Sequence, residues 1–293
     1  MSFSEPNVLI LDYAEFKIND EDWIPQEEVL RIDNIVRDRL GLFRKGQRIK
    51  QPWVFSPEER AIKAHVTIRF TLNSDFTITE PTKLALEDRD KITIHVNDVA
   101  ILVPKGEDKS TNWWVDTDIK TVDIASNLIH KGQNTVTLSF DFGALTNIER
   151  VYLLGNFSVK LQGHKTTLRP LKTSPLTWGD IVPQGFPFYV GNIIYKCSIT
   201  VPPAPKYSEC HITLSVPKFS SPVLAVSDPK RKKKLGIIAF QPRTLDLGEL
   251  EEGEHKIEIT AYGNRYNSFG HIHAPTWVNA CGPFMWRSKF SNS

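Results

Sequence analysis

The sequence predicts a mainly β protein: two tandem jelly-roll-like antiparallel sandwiches preceded by a short strand-helix segment. Three observations carry this expectation. From about residue 62 onward, apolar and polar residues alternate in short runs, the period of a half-buried strand. The runs are separated by clusters such as "NSDF", "VND", "HKGQN", "PPAP", "SDPK" and "EEGEH", which are rich in residues that turn the backbone at low cost. Finally, "GQNTVTLSFDFG" at 132–143 is nearly restated as "GEHKIEITAYGN" at 253–264, with the opening glycines, Gly132 and Gly253, 121 residues apart.

Taken in order, residues 1–60 read as an N-terminal strand and helix linker segment. "NVLILDYAEFKI" has the character of a strand or two, and "NDEDW" of a turn. In "QEEVLRIDNIVRDRLG", at 26–41, Val29, Ile32, Val36 and Leu40 recur at helical spacing. Glu27 and Glu28 suit the positive first turn, Arg37 and Arg39 the last, and Gly41 the stop.

The first sandwich is expected over 61–163, built from a leading strand "AHVTIRFTL", a hairpin "DKITIHVNDVAILV", an apolar stretch around Asp123, and the closing strand after Gly132. The second is expected over 170–293, where "IIYKCSITVP", "SPVLAVSDPKRKKKLGIIAF", the stretch around Asp246 and the strand after Gly253 follow in the same order. Four features in one order make a duplicated domain the expectation. Stacked antiparallel sheets bury each other's apolar faces without helices. "QGHKTTLRP" reads as the joint between the two.

Bulk properties narrow the function classes. Hydrophobic residues are 40% and charged residues 24% of the 293, as in ordinary globular proteins. A formal net charge of +2 provides no electrostatic reason to expect nucleic acid. No apolar stretch approaches a membrane span, and "MSFSEPNVLILDYAEF" has no leader pattern, so a cytoplasmic setting without membrane partners is expected. Cys197, Cys210 and Cys281 form no metal-binding spacing and read as reduced thiols, a bridge between Cys197 and Cys210 being the alternative.

A family resemblance joins these readings. "NVLILDYAEFKI", "EEVLRIDNIVRDRLG", "QPWV", "ERVYLLGNFSVKL", "QGFPFYVGNIIYKC", "GIIAFQPRTLDLG", "GNRYNSFGHIH" and "CGPFMWR" together resemble the C-terminal accessory region of large bacterial glycoside hydrolases of the α-L-rhamnosidase and β-galactosidase kind. "PFYVGNIIYKC" with "GIIAFQPRTLDLG" is similar to the galactose-binding-like jelly roll of the β-galactosidase group. The resemblance implies sandwiches packed beside a catalytic barrel that this sequence does not contain, so the family's activity is not carried over. It implies two partners, carbohydrate and a catalytic glycosidase domain or chain.

Several residues suit sugar recognition. In "TNWWVD", strand geometry sends Trp113 and Trp114 to opposite faces, one buried and one exposed. An exposed indole beside Asp116 stacks on a pyranose while the carboxylate takes its hydroxyls; in the competing view both indoles are packing groups, and the favoured binding pair is Trp114 with Asp116. In "FPFYVGN", Phe186, Phe188 and Tyr189, with Trp178 upstream, form either a ligand-facing cluster or a packed corner. "GNRYNSFGHIH" concentrates Asn264, Arg265 and Asn267, whose planar donors and acceptors fit hydroxyls, unless the amides serve their own loop. His271 and His273 lack a third metal ligand, so no metal is expected; no cofactor is expected beyond, at most, a structural calcium in a loop. "DPKRKKK" reads as a solvated hairpin tip that discourages edge pairing.

No nucleophile elbow, phosphate loop or catalytic cysteine-histidine pattern is present, and no catalytic residue is assigned. The expected function is a non-catalytic carbohydrate-binding accessory module. The alternatives are a glycosidase with a carboxylate pair between the sandwiches, recognisable by a raised pKa, and a structural docking module without ligand.

Overall fold

Alternation along the chain becomes pairing across it. The computed structural model describes residues 1–44, 51–103, 112–163, 165–171, 176–203, 211–264 and 267. These are mainly β, with several antiparallel sheets and one α-helix. In chain order the elements are β1 (Ser2–Phe3), β2 (Asn7–Leu11), β3 (Tyr13–Ile18), β4 (Ile24–Glu28), α1 (Val29–Arg39), β5 (Ile62–Ser74), β6 (Thr82–Leu86) and β7 (Thr93–Val96). There follow β8 (Val99–Ile101), β9 (Trp113–Trp114), β10 (Asp116–Ile124), β11 (Gly132–Gly143), β12 (Val151–Gly155), β13 (Ser158–Gln162) and β14 (Lys165–Arg169). The last six are β15 (Ile193–Val201), β16 (His211–Ser215), β17 (Leu224–Asp228), β18 (Lys233–Ile238), β19 (Thr244–Glu249) and β20 (Gly253–Ala261).

The chain divides into two units. The larger takes Asn7–Leu171 and Gly185–Phe188. One of its sheets runs β2-β12-β6-β10-β9, and the other β13-β14-β5-β11-β7-β8, with β3 also paired to β5 and β4 to β3. Pairing is antiparallel except between β14 and β5. The long β5–β11 ladder sets Val136 opposite Phe70, Leu138 opposite Ile68 and Phe140 opposite Val66, and all six side chains are buried. On the other sheet Leu84, Leu86, Val122, Ile124 and Leu153 are buried as well, as in a sandwich whose sheets cover each other's apolar rows. Each such side chain contributes about 1.5–3 kcal/mol through burial.

The helix starts later than its pattern suggests. Glu28 is extended (φ −70°, ψ 137°), and its carboxylate accepts a hydrogen bond from the Arg31 amide, so it caps α1 and does not join the first turn. Val29, Ile32 and Val36 form the buried face of α1, which packs against β3 and β4. Gly41, at φ +67°, follows the end.

Residues 7–28 are not a segment standing before the sandwich. β2 pairs with β12 over Asn7–Leu11, and β3 pairs with β5 over Ala14–Ile18. Similarly, "QGHKTTLRP" is no joint: β13 and β14 form a hairpin, with Ser158 opposite Arg169. Gly185 (φ +102°), also in the larger unit, lies so close to Ser158 that a Cβ would sit 2.7 Å from the serine Cβ. Its carbonyl accepts from Asn7 Nδ2 at 2.9 Å.

The smaller unit takes Met1–Pro6, Lys172–Gln184 and Tyr189–Ser268. Its main sheet runs β1-β15-β20-β17-β18, and β16 pairs with β19 in a second sheet. The strand order β15-β20-β17-β18 repeats β5-β11-β7-β8, and the β16–β19 pair has the chain positions of β6–β10. The registers agree too: Gly132 faces Ser74, and Gly253 faces Val201, each the final residue of its leading strand. The aspartates differ in register: Asp123 stands opposite Lys83 and bonds it at 2.7 Å, whereas Asp246 stands opposite Thr213, within 3.8 Å of His211.

Candidate functional site

Strand parity separates the two indoles, and the neighbouring strand decides which one is buried. Trp114 is 8% exposed and lies against Tyr152, ring centroids 4.9 Å apart, whereas Trp113 is 49% exposed. The expected pairing of an exposed Trp114 with Asp116 is therefore corrected: Trp114 is a packing group, and the available ring is that of Trp113. Trp113 stands opposite Lys120, beyond an irregularity in the β9–β10 ladder. Asp116 is exposed, and its carboxylate accepts from the Asp118 amide at 3.1 Å, a local turn contact.

Lys120 also lines a cavity of about 320 Å³, walled by Glu87, Asp88, Arg89, Asp90, Lys91 and Asp118. The chain builds it from a sharp turn: Asp88 is left-handed at φ 50°, and a short 3-10 helix, Arg89–Lys91, follows. Arg89 is buried and donates from Nη1 to the Thr121 carbonyl at 2.8 Å, fixing the turn on β10. Asp90 accepts from Arg89 Nε at 2.9 Å and from Lys120 Nζ at 3.1 Å. Burial pushes the Asp90 carboxyl up, but these two cations outweigh it and leave it below the usual carboxylate range. Lys91 Nζ bonds Asp88 at 2.6 Å. The walls thus hold ammonium donors and carboxylate acceptors, and one of these residues, Lys120, is the cross-strand partner of the exposed Trp113. That set suits vicinal hydroxyls on a ring with an apolar face.

In the smaller unit the expected cluster separates. Tyr189 is 2% exposed, donates its hydroxyl proton to the Asn192 carbonyl at 2.9 Å and accepts from the Ser4 amide at 3.1 Å. Burial raises its pKa. It is a corner residue, and its place among ligand-binding residues is corrected on that ground. Trp178 is half-exposed and tilts over Tyr195 with centroids 4.3 Å apart. Asn264 is exposed, while Asn267 Nδ2 donates to the Tyr189 carbonyl at 3.4 Å, a bond to the backbone of the distant 186–192 stretch. Arg265, Tyr266, His271, His273, Cys210 and Cys281 lie outside the described residues. Cys197 is a free thiol whose pKa burial raises. Among the described residues no group of three metal-ligating side chains occurs, and no helix is long and apolar enough to cross a membrane.

The raised carboxyl groups lie elsewhere in the larger unit, in a cluster that no motif in the sequence indicates. Asp12, between β2 and β3, and Glu28, capping α1, are 4% and 6% exposed, and both lie near buried Arg150. Glu28 Oε1 is 3.8 Å from Arg150 Nη2. Burial raises the Asp12 pKa to about 7, and Arg150 opposes the rise. Burial likewise raises Glu28. Glu28 Oε2 is bonded to the Arg31 amide at 3.2 Å, so one of the two buried carboxyls is committed to capping α1.

No family model matches the chain, and no curated protein matches its sequence. Among solved structures, the β-D-mannosidase of Dictyoglomus thermophilum superposes with a TM-score of 0.33 at 15% identity, covering 88% of this chain and 31% of that one. A GH2 β-galacturonidase of Eisenbergiella tayi superposes at 0.30 with 8% identity, covering 87% and 37%. A glycosyl hydrolase family 2 member of Bacteroides cellulosilyticus gives 0.31 and 12%, covering 87% and 31%. The chain spans about a third of the length of these three. Likeness at this level assigns neither family nor activity.

Proposed function

We propose that the chain is a non-catalytic, carbohydrate-binding accessory module of glycoside-hydrolase type, built by duplication of one sandwich. The sugar site is the Trp113 platform with the Asp90, Asp118 and Lys120 cavity beside it. One observation carries the site: an indole half in solvent stands opposite a lysine that lines a 320 Å³ polar cavity. The duplication is supported by the common strand order and glycine register of the two units. The sequence resemblance to accessory regions of the α-L-rhamnosidase and β-galactosidase kind supports a catalytic glycosidase as partner. Binding is of modest affinity, because hydroxyls exchange water bonds for protein bonds at little net gain.

The test is a glycan array followed by titration of its best ligand into wild type, Trp113→Ala and Asp118→Asn. Trp113→Ala is expected to weaken binding about tenfold, equivalent to about 1.4 kcal/mol, with unchanged thermal unfolding; Trp114→Ala is expected to lower stability instead. A silent array with an intact fold overturns the sugar reading in favour of docking. Turnover of aryl glycosides, abolished by one acidic substitution, overturns the non-catalytic part.

A further inference from the structure

A second cavity, of about 230 Å³, opens in the larger unit and is independent of the Trp113 site. Its position follows from strand pairing. On one edge of β5, β3 pairs as far as Phe70, and β14 begins only at Asn73. Between them the ladder is interrupted, and the cavity lies at the gap, bounded by Asp12, Gln26, Thr71, Asn73, Lys165 and Thr166. Polar side chains therefore line an indentation in a sheet edge that two strands share without meeting.

Asp12 lines the cavity and is 4% exposed, and its Oδ2 has no hydrogen-bond partner. Glu28 Oε1 in the same cluster is also without one. A buried carboxylate lacking partners is costly, and the cost falls when an opposite charge or a donor arrives. The charges facing Asp12 are those of Glu28 from β4 and Arg150 ahead of β12, with the Tyr152 hydroxyl from β12 and Lys165 from β14 at the cavity. When Asp12 is ionised, two buried carboxylates face one buried guanidinium, and the cluster is one positive charge short.

We infer that this cavity is a binding site for a small polar molecule bearing a primary ammonium group, whose charge completes the Asp12, Glu28 and Arg150 cluster. The ammonium takes the Asp12 carboxylate, while Gln26, Thr71, Asn73 and Thr166 meet the polar body of the ligand. Below about pH 7 Asp12 carries a proton, so the ammonium must displace it. Binding then releases up to one proton at pH 6 and nearly none at pH 8. The Lys165 charge, on an exposed side chain lining the cavity, opposes entry.

The experiment is calorimetric titration of the whole chain with ethanolamine and 1-amino-2-propanol, both protonated at either pH, against ethylene glycol and 1,2-propanediol as uncharged counterparts, in buffers of different ionisation enthalpy at pH 6 and 8. The amines are expected to bind at least tenfold more tightly than their counterparts, with proton release at pH 6 alone. Asp12→Asn, its fold checked by circular dichroism, is expected to abolish binding, Lys165→Ala to strengthen it, and Trp113→Ala to leave it unchanged. Equal binding of the uncharged molecules, no binding of either amine, or undiminished binding to Asp12→Asn overturns the inference. Loss of amine binding in Lys165→Ala also overturns it, since a site for a cation does not depend on a neighbouring ammonium.

Discussion

Replacing Arg37 by methionine is expected to destabilise the larger unit by about 3–5 kcal/mol, as removal of one partner from a buried ion pair does. Arg37 and Asp33 are 3% and 2% exposed, one helical turn apart on α1, with Arg37 Nε donating to Asp33 Oδ2 at 2.7 Å. The same guanidinium donates to the carbonyls of Ala144 and Thr146, while Asp33 Oδ1 accepts from the Ile148 amide at 3.3 Å. Arg37 also lies 5.3 Å from the Phe142 ring centre. The pair thus fastens the helix to the chain that follows β11, satisfying backbone groups that would otherwise be buried without partners. Methionine keeps the apolar stem but leaves Asp33 charged and unpaired. Urea unfolding should show the midpoint fall, and a double variant, Asp33→Leu with Arg37→Met, should recover part of the loss. A cost below about 1 kcal/mol would mean the pair behaves as a surface contact.

Arg37 also shows how far a sequence pattern reaches. Spacing marks Val29, Ile32 and Val36 as the inner face of a helix, and Arg37 as a favourable charge in its last turn. Nothing local says that the arginine turns inward, because its carbonyl acceptors lie over a hundred residues away at Ala144 and Thr146. The same division runs through the fold. Alternation in 132–143 identifies Val136, Leu138 and Phe140 as core, a property of strand parity. Assigning residues 1–60 to a linker fails, because the apolar run Asn7–Leu11 finds its partner only at Val151–Gly155. At the candidate site, parity requires that one of Trp113 and Trp114 be exposed, but Tyr152 decides which. The cavity beside it has a signal of its own: "LEDRDK" places five charges directly before an alternating strand, a density that a plain turn does not need. Asp12 has none, since an aspartate between two apolar runs reads as a turn residue until Arg150 and Glu28 are brought beside it.

That hidden aspartate governs the second large effect, the response of stability to pH. Its pKa is raised from 3.8 to about 7 by burial, so the folded chain holds a proton that the unfolded chain releases above about pH 4. The folded state binding more protons, stability falls as pH rises. The Asp12 contribution is complete below its unfolded pKa and is lost progressively up to about pH 7. Glu28, raised by burial as well, acts in the same direction. Asp38, Glu58, Asp90 and Asp228 are lowered and act oppositely, so the absolute profile mixes both signs. The difference between wild type and Asp12→Asn isolates the one group. Because a tenfold change in proton affinity between the folded and unfolded chain corresponds to about 1.4 kcal/mol, the difference should change by on the order of 2–4 kcal/mol between pH 4 and 8. Asp12→Asn should be the more stable protein at pH 8, where Glu28 and Arg150 then balance, and should lose that advantage by pH 4. Urea midpoints at half-unit pH steps measure it, and a difference that stays flat across the range would show that Asp12 titrates near its ordinary value.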